Sequence, residues 1–357
     1  MRARVVLHVG LMKSGTSFLQ HTLFEHRSEL GTHGIHVPGR SWRHQFNAAL
    51  DVLRHGAHAP EWREVVDDVA AEGTSVISSE FLAPARREAV EAVVSSFPDH
   101  DVEVLLTVRD LNRNLPAMWQ ETVQNGRTWT WHDYLAGAYA QRPGAAEASQ
   151  PHDAGRRFWR QQNALRVARR WSAAVGVDRV TVVTVPGPGA PRDELWRRVA
   201  SVLGAPSRLS PPTPGRATTT TGANESVGLA SALVLRQINE VMAERGLFLP
   251  GGQKQRKTYL AKRVMATRRG SEPTLGLEVQ PWVREQAERQ VHGLQALGVR
   301  LVGDWADLEP VPVPGVQPDD VDDAEVARAA TLALADVITD LVQRDLRPYD
   351  DRPATAT

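Results

Sequence analysis

Cysteine is absent from this sequence of 357 residues. Disulfide bonds, thiolate metal sites and cysteine nucleophiles are therefore excluded. Long apolar runs are also missing, so the sequence predicts no membrane-spanning helix. The apolar stretch at residues 5–9 is short and is followed by Gly10 and Lys13, which favours a first β-strand over a signal peptide. We therefore expect a cytoplasmic protein.

An excess of charge of one sign is missing as well, because 42 Lys and Arg residues balance 42 Asp and Glu residues. This balance argues against a nucleic-acid partner, although a local basic pocket is compatible with it. Only four of the basic residues are lysines, namely Lys13, Lys254, Lys257 and Lys262. The heavy use of Arg, Ala, Val and Gly is typical of a high-GC bacterial source, and in such a background an isolated Lys13 indicates a chemical role.

Short runs of β-branched and apolar residues alternate with segments of helical spacing through residues 1–204. This alternation predicts an α/β fold whose parallel sheet is flanked by helices on both faces. Ligands of such sheets bind beyond the carboxyl ends of the strands. The predicted strands are Val5–Val9, Ile35–Val37, Thr74–Ser78, Val102–Val108 and Val180–Val185. The predicted helices are Ser14–His26, Trp42–Arg54, Glu61–Glu72, Pro84–Ser96, Asn112–Gln124, Phe158–Val175 and Asp193–Leu203.

The composition changes after this α/β core. Residues 205–223 are rich in Pro, Ser and Thr and predict a loop. Residues 224–309 predict a helical continuation of the same domain, and residues 310–357 predict a linker, a helix and a disordered tail. The helices predicted in this C-terminal part are Glu225–Glu244, Lys257–Arg268, Pro281–Leu297 and Ala324–Arg344.

One loop, within Val9–Gln20, carries most of the recognisable chemistry. It connects a predicted strand to a predicted helix, and such a loop directs backbone N–H groups and a helix N-terminus at an anion. Lys13 adds a mobile positive charge, and neighbouring hydroxyl groups add further donors. The loop is not a Walker A motif, because that motif needs Gly-Lys-Ser/Thr and here Gly15 is followed by Thr16.

The order Lys-Ser-Gly-Thr-Ser-aromatic after a first strand resembles the 5′-phosphosulfate loop of the PAPS-dependent sulfotransferases, PAPS being 3′-phosphoadenosine 5′-phosphosulfate. The resemblance implies a P-loop NTPase-like fold, PAPS as the donor and PAP as the product. It also implies that the loop wraps the 5′-phosphosulfate and that the aromatic residue lies near the adenine. The matching residues are Lys13, Ser14, Gly15, Thr16, Ser17 and Phe18.

A second segment, Thr107–Leu111, supports the same resemblance from the end of another apolar strand. The family places an arginine here to bind the 3′-phosphate, which implies this role for Arg109. A planar guanidinium suits it, because it can donate two hydrogen bonds to one phosphate. The family usually has a serine eight positions later, where this chain has Ala117. The neighbours that could replace that contact are Asn112, Arg113 and Gln120.

Sulfuryl transfer resembles phosphoryl transfer, so the protein has to stabilise the leaving phosphate and to take a proton from the acceptor. Lys13 can do the first, because its ammonium can neutralise charge on the bridging oxygen. Glu80, just beyond the predicted strand Thr74–Ser78, is the candidate general base and matches by position the carboxylate used in part of the family. His44 is a competing candidate. No metal-ligand spacing is present, and N–H groups with Lys13 already hold the leaving group, so no metal is predicted.

Two other functions stay open. A P-loop kinase or other nucleotide-dependent phosphotransferase would need a Walker lysine and a Mg²⁺ ligand, and both are poorly placed. A non-catalytic nucleotide-binding protein is compatible with an alanine, Ala117, in place of a hydroxyl that binds the donor. The expected acceptor is a small molecule or a glycan with a hydroxyl or an amine, and the sequence indicates neither its identity nor an oligomeric state.

Overall fold

The computed structural model describes residues 2–145, 151–209, 227–248, 252 and 254–345. These residues gather into two compact units. The first lies within Met1–Met118, Asp133–Thr218 and Glu278–Pro312, and the second within Trp119–His132, Thr219–Leu277 and Val313–Thr357. Most of the loop predicted at 205–223 and the tail beyond residue 345 lie outside the described residues. Among the described helices, none combines the length and the apolar character needed to cross a membrane.

A six-stranded parallel sheet organises the first unit and confirms the predicted fold class. Its strands are β1 (Arg4–His8), β2 (Ile35–His36), β3 (Thr74–Ser78), β4 (Asp101–Val108), β5 (Val180–Thr184) and β6 (Arg300–Val302). They lie in the order β2-β3-β1-β4-β5-β6, so β1 is flanked by β3 and β4. His8 of β1 is level with Ser78, the last residue of β3, and with Leu105 of β4, which continues to Val108.

Helices alternate with these strands and continue beyond them. The α-helices in the described residues are α1 (Thr16–Glu25), α2 (Arg27–Thr32), α3 (Trp42–His55), α4 (Pro60–Asp67), α5 (Arg87–Ser95), α6 (Leu111–Gln124), α7 (Trp131–Ala140), α8 (Asp153–Gln162), α9 (Ala164–Val175), α10 (Glu194–Leu203), α11 (Leu229–Glu244), α12 (Pro281–Leu297) and α13 (Asp323–Asp345). Short 3₁₀ turns occur at Glu80–Leu82, Val177–Arg179, Ala266–Ser271, Trp305–Leu308 and Pro318–Asp320.

Alternating side chains of the central strands serve two cores, one on each face of the sheet. Val5 and Leu7 of β1 belong to the larger core, together with residues of α3, α4, α5, α9 and α12. Val6 belongs to the opposite core, together with residues of α1, α2 and α10. Because both faces of the sheet are buried, apolar residues dominate β1, β4 and β5, whereas the buried β3 combines Val76 and Ile77 with Thr74, Ser75 and Ser78.

Four features differ from the sequence-based expectation, which does not include α2, α7 or β6. β6 has only three residues, none of them fully buried, and so lacks the apolar run of a central strand. The single helix predicted at residues 158–175 is two helices. Asn163 interrupts it with φ −85° and ψ 86°, and its side chain caps α9 by accepting a hydrogen bond from the N–H of Arg166 at 2.9 Å.

The second unit contains α11 and α13, which pack against each other. A π-helix occupies Lys254–Met265, where the sequence predicts an α-helix over residues 257–268. Arg268, in the 3₁₀ turn that follows, pairs with Asp336 of α13. The predicted helical character of this part is therefore confirmed, with a different helix type in one segment.

Candidate active site

The loop between β1 and α1 lies at the carboxyl end of β1, the edge at which parallel sheets bind ligands. Lys13 adopts a left-handed backbone conformation with φ 65°, and Gly15, the N-cap of α1, does so with φ 87°. A left-handed residue other than glycine is uncommon and marks a constrained turn. Since no side-chain hydrogen bond of the described residues caps α1, its first N–H groups point toward the space in front of the helix.

Gly10 allows this loop to pass close to β4. A β-carbon at this residue would lie 2.2 Å from Thr107 Oγ1, 2.7 Å from His8 Nε2 and 2.9 Å from Thr16 Oγ1, which are separations that real side chains do not tolerate. Thr16 Oγ1 is buried and has no hydrogen-bond partner within the described part of the chain. A buried hydroxyl without a partner is unfavourable, and a ligand held by the loop would supply one.

A chain of hydrogen bonds under the loop joins the ends of β3, β1 and β4. His8 Nδ1 lies 2.7 Å from Ser78 Oγ, and His8 Nε2 lies 3.0 Å from Thr107 Oγ1. Thr107 Oγ1 lies 2.8 Å from Ser14 Oγ, and Ser14 Oγ donates to the carbonyl oxygen of Leu11 at 2.5 Å. The Ser14 proton is thus directed into the protein, and Ser14 fixes the shape of the loop from within.

The donor and acceptor of each hydrogen bond in this network follow from the bond between Ser14 Oγ and the Leu11 carbonyl oxygen. Ser14 has one hydroxyl proton and gives it to a carbonyl, so Thr107 must donate to Ser14. Thr107 is then an acceptor for His8, which leaves Nε2 of His8 protonated and Nδ1 accepting from Ser78. Complete burial lowers the pKa of His8 to about 3, so the ring is neutral as this network requires.

Arg109 follows β4 directly, and its guanidinium lies against the loop. Its Nη1 is 3.5 Å from the carbonyl oxygen of Lys13. Burial, together with a smaller repulsion from Arg113, lowers the pKa of Arg109 to about 10, and attraction to Asp110 opposes both. The group is still a cation at neutral pH, but a poorly solvated one, for which an anionic ligand is a favourable partner.

Glu80 begins the 3₁₀ turn after β3, one strand away from the loop. Its carboxylate Oε2 accepts a hydrogen bond from Gln20 Nε2 at 3.3 Å, and the same amide donates to the carbonyl oxygen of Ser78 at 3.1 Å. Gln20 belongs to α1, which starts at the loop. The structure therefore connects Glu80 to the helix whose N-terminus faces the candidate anion site.

His44 lies elsewhere, on the side of α3 that faces α4. Its Nδ1 accepts a hydrogen bond from the N–H of Arg40 at 3.1 Å, and its Nε2 is 3.3 Å from Glu64 Oε2. These contacts tie the ring to a surface cluster of charges. The structure thus brings Lys13, Arg109 and Glu80 to neighbouring strand ends and gives His44 partners away from them.

Two residues that are predicted to contact the nucleotide, Ser17 and Phe18, belong to α1. Ser17 is half-buried in its first turn, and Phe18 is half-buried and packs against the core that α1 covers. Their roles toward a nucleotide stay predictions.

Several supporting residues are not evident in the sequence. Gln162, at the end of α8, donates to the carbonyl oxygen of Met12 at 2.9 Å and accepts from Asn114 at 2.7 Å. His8 interrupts an apolar strand, and a polar side chain at a buried position usually has a hydrogen-bond partner. A histidine within an apolar strand therefore indicates a hydrogen-bonding role that the sequence alone could have suggested for His8. Gln162 is the last residue of α8, and its contact with Met12 joins segments 150 residues apart, which no local pattern specifies.

Ala117 is half-buried on α6, and the three neighbours expected to replace the missing serine all have partners in the protein. The partners are the Val311 carbonyl for Asn112, the Asp110 carboxylate for Arg113 and the Val227 carbonyl for Gln120.

The residues of the loop fit an anionic group such as a phosphosulfate. They combine the Lys13 side chain, an uncapped helix N-terminus, the orphan Thr16 hydroxyl and the close backbone approach at Gly10. Within the described ranges, no group of three or more His, Asp or Glu side chains is arranged to hold a metal ion.

No protein-family model matches this chain, and no curated protein matches its sequence. Among solved structures, it is similar to a sulfotransferase from Alicyclobacillus acidocaldarius at 16% sequence identity, with a TM-score of 0.41. The superposition covers 69% of this chain and 96% of that one. A similarity at this level carries no information about catalytic residues, so these have to be inferred from the site itself.

Proposed function

We propose that this chain is a sulfotransferase that moves a sulfuryl group from PAPS to a hydroxyl or amine acceptor. One observation carries the proposal. The Lys13–Phe18 loop at the end of β1 is flanked by Glu80 after β3 and by Arg109 after β4, and both flanking residues are linked to the loop or to its helix. The site thus combines anion binding, a cation for a leaving group and a base.

Anion binding in this proposal belongs to the loop. When bound, PAPS supplies a sulfuryl group activated by its 5′-phosphate. The first N–H groups of α1, the Thr16 hydroxyl and the Ser17 hydroxyl hold the phosphosulfate, and the network through Ser14 keeps the loop in shape. Lys13 supplies the positive charge at the bridging oxygen.

Glu80 acts on the acceptor. It takes the proton from the acceptor hydroxyl as that oxygen forms its bond to sulfur. The bond between sulfur and the phosphate oxygen breaks at the same time, and its electron pair stays on that oxygen, where Lys13 stabilises the charge. Gln20 orients Glu80 through the hydrogen bond at 3.3 Å.

The nucleoside end is assigned by the same proposal to Arg109 for the 3′-phosphate and to Phe18 for the adenine. Arg109 is supported by its burial, since a poorly solvated guanidinium gains more from a phosphate than an exposed one does. Ala117 adds no hydrogen bond, so Arg109 carries more of this contact than it would beside a serine.

Calorimetric binding of PAP without added metal tests the donor site. We expect wild-type protein to bind PAP, Lys13→Ala to bind it about tenfold or more weakly, and Met12→Ala, an uncharged change in the same loop, to bind normally. Glu80→Gln should bind PAP normally and lose sulfuryl transfer from PAPS. Binding of ATP with Mg²⁺ in place of PAP would contradict the proposal and favour a kinase.

A further inference from the structure

A surface cleft of about 440 Å³ lies beside the turn that carries Glu80. Its volume is in the range of small-molecule sites. The walls present polar and apolar surface in similar amounts and come from the end of α3, the turn after β3 and the start of α5, while α8 contributes one charged side chain. Its lining includes Leu53, Phe81, Arg86, Glu88, Ala89 and Arg160.

Two residues that line the cleft are close in the sequence to residues of the candidate active site. Phe81 follows Glu80 in the chain, and its ring is held by an edge-to-face contact with Phe46 at a centroid distance of 5.0 Å. Arg160 precedes Gln162 by two residues in α8, and Gln162 contacts the loop at the Met12 carbonyl. A molecule in this cleft therefore lies against segments that also form the site.

The charges at the rim of the cleft are predominantly positive. Arg86 and Arg160 are exposed, and no carboxylate of the described residues lies within ion-pairing distance of either. Glu88 is the acidic residue of the rim. Arg170 is attracted electrostatically to Glu88, so the negative charge of Glu88 is partly neutralised within the protein.

We propose that this cleft binds the body of the acceptor, and that the acceptor is an amphiphile with an apolar chain or ring system and one anionic group. The apolar part lies against Leu53, Phe81 and Ala89, and the anionic group meets Arg86 and Arg160. The reacting hydroxyl then extends to Glu80, where an O–S bond forms, the proton passes to Glu80 and PAP leaves. This inference rests on the proposed function.

Decanoate is a suitable binding probe, and ω-hydroxydecanoate is the corresponding acceptor probe. We expect decanoate to bind wild-type protein in calorimetry and ω-hydroxydecanoate to be sulfated from labelled PAPS. Ala89→Trp fills the cleft and should reduce both by about tenfold or more, and the smaller change Ala92→Leu should act in the same direction. Arg160→Glu should weaken decanoate about threefold or more, because it reverses a charge at the rim.

Two matched controls separate this cleft from other surfaces. Arg157→Glu changes an arginine of the same helix that is bound to Asp153 at 3.0 Å, and it should leave decanoate binding unchanged. Ala330→Trp fills an apolar cleft in the second unit, and it should also leave binding unchanged.

The outcomes for the cleft and for the donor site are independent. Decanoate binding that survives both Ala89→Trp and Ala92→Leu, or that is lost in Ala330→Trp, overturns the cleft assignment. Equal sulfation of ω-hydroxydecanoate and of the uncharged decanediol overturns the anionic acceptor. Failure of wild-type protein to bind PAP would instead refute the sulfotransferase, whatever decanoate does.

Discussion

His8 should make the stability of the protein depend on pH in a way that a single substitution removes. The buried ring has a pKa of about 3 in the folded chain, against about 6.5 for an exposed histidine. Between these values the unfolded chain binds a proton that the folded chain excludes. The stability due to this group is therefore complete above about pH 6.5 and falls as the pH drops toward 3.

The size of the effect follows from the two pKa values. One proton bound only by the unfolded chain costs about 1.4 kcal/mol for each pH unit. Between about pH 7.5 and about pH 5, the neutral ring of His8 should thus account for a loss of about 2 kcal/mol in the free energy of unfolding. His8→Gln removes the titrating group and keeps an N–H donor for Thr107.

Urea unfolding at the two pH values, followed by tryptophan fluorescence, measures this difference. We expect the pH-dependent loss in His8→Gln to be smaller than that in wild-type protein by about 2 kcal/mol. His58→Gln changes an exposed histidine and should behave like the wild type. An equal loss in wild-type protein and His8→Gln would refute the neutral buried ring and the proton order derived from it.

Two other substitutions test neighbouring parts of the structure. Gly10→Ala should abolish PAP binding and lower the free energy of unfolding by about 2 kcal/mol, because the new methyl group would collide with Thr107; wild-type PAP affinity in this variant would contradict the tight passage of the loop. Asp307→Asn should lower stability by about 2 kcal/mol near neutral pH, since Asp307 pairs with half-buried Arg198. Burial raises the pKa of Asp307, but hydrogen bonds from Thr184 and Arg198 lower it by more, so this contribution is present above about pH 4 and fades below it. Acid unfolding curves of the wild type and the Asp307→Asn variant should therefore converge at low pH.

Much of the fold follows from local pattern. The buried runs of β1, β4 and β5 are rich in apolar residues on both faces, and the loop after β1 has the residue order of an anion-binding loop at a sheet edge. The π-helix at Lys254–Met265 has no such signature, because it differs from an α-helix only in hydrogen bonds that span five residues instead of four. The sequence does not predict β6, because this strand has only three residues and none of them is fully buried.

The supporting contacts of the site depend on topology and could not be read from the sequence. His8 meets Ser78 and Thr107 only because β1 lies between β3 and β4 and places His8 level with Ser78 and Leu105. Gln162 reaches the loop from α8, although 150 residues separate it from Met12 in the sequence. The sequence pattern therefore identifies the candidate catalytic and anion-binding residues. The supporting residues that hold them in position are identified only by the order of the strands.

The left-handed backbone of Lys13 implies a conflict between folding and activity at one residue. Glycine adopts φ near 65° without steric penalty, whereas a side chain at this position costs about 1 kcal/mol. Lys13→Gly should therefore unfold at a higher urea concentration than Lys13→Ala, although both lack the ammonium. The residue that best suits the turn is not the residue that suits a leaving group, and a selection for thermal stability alone would be expected to replace this lysine first.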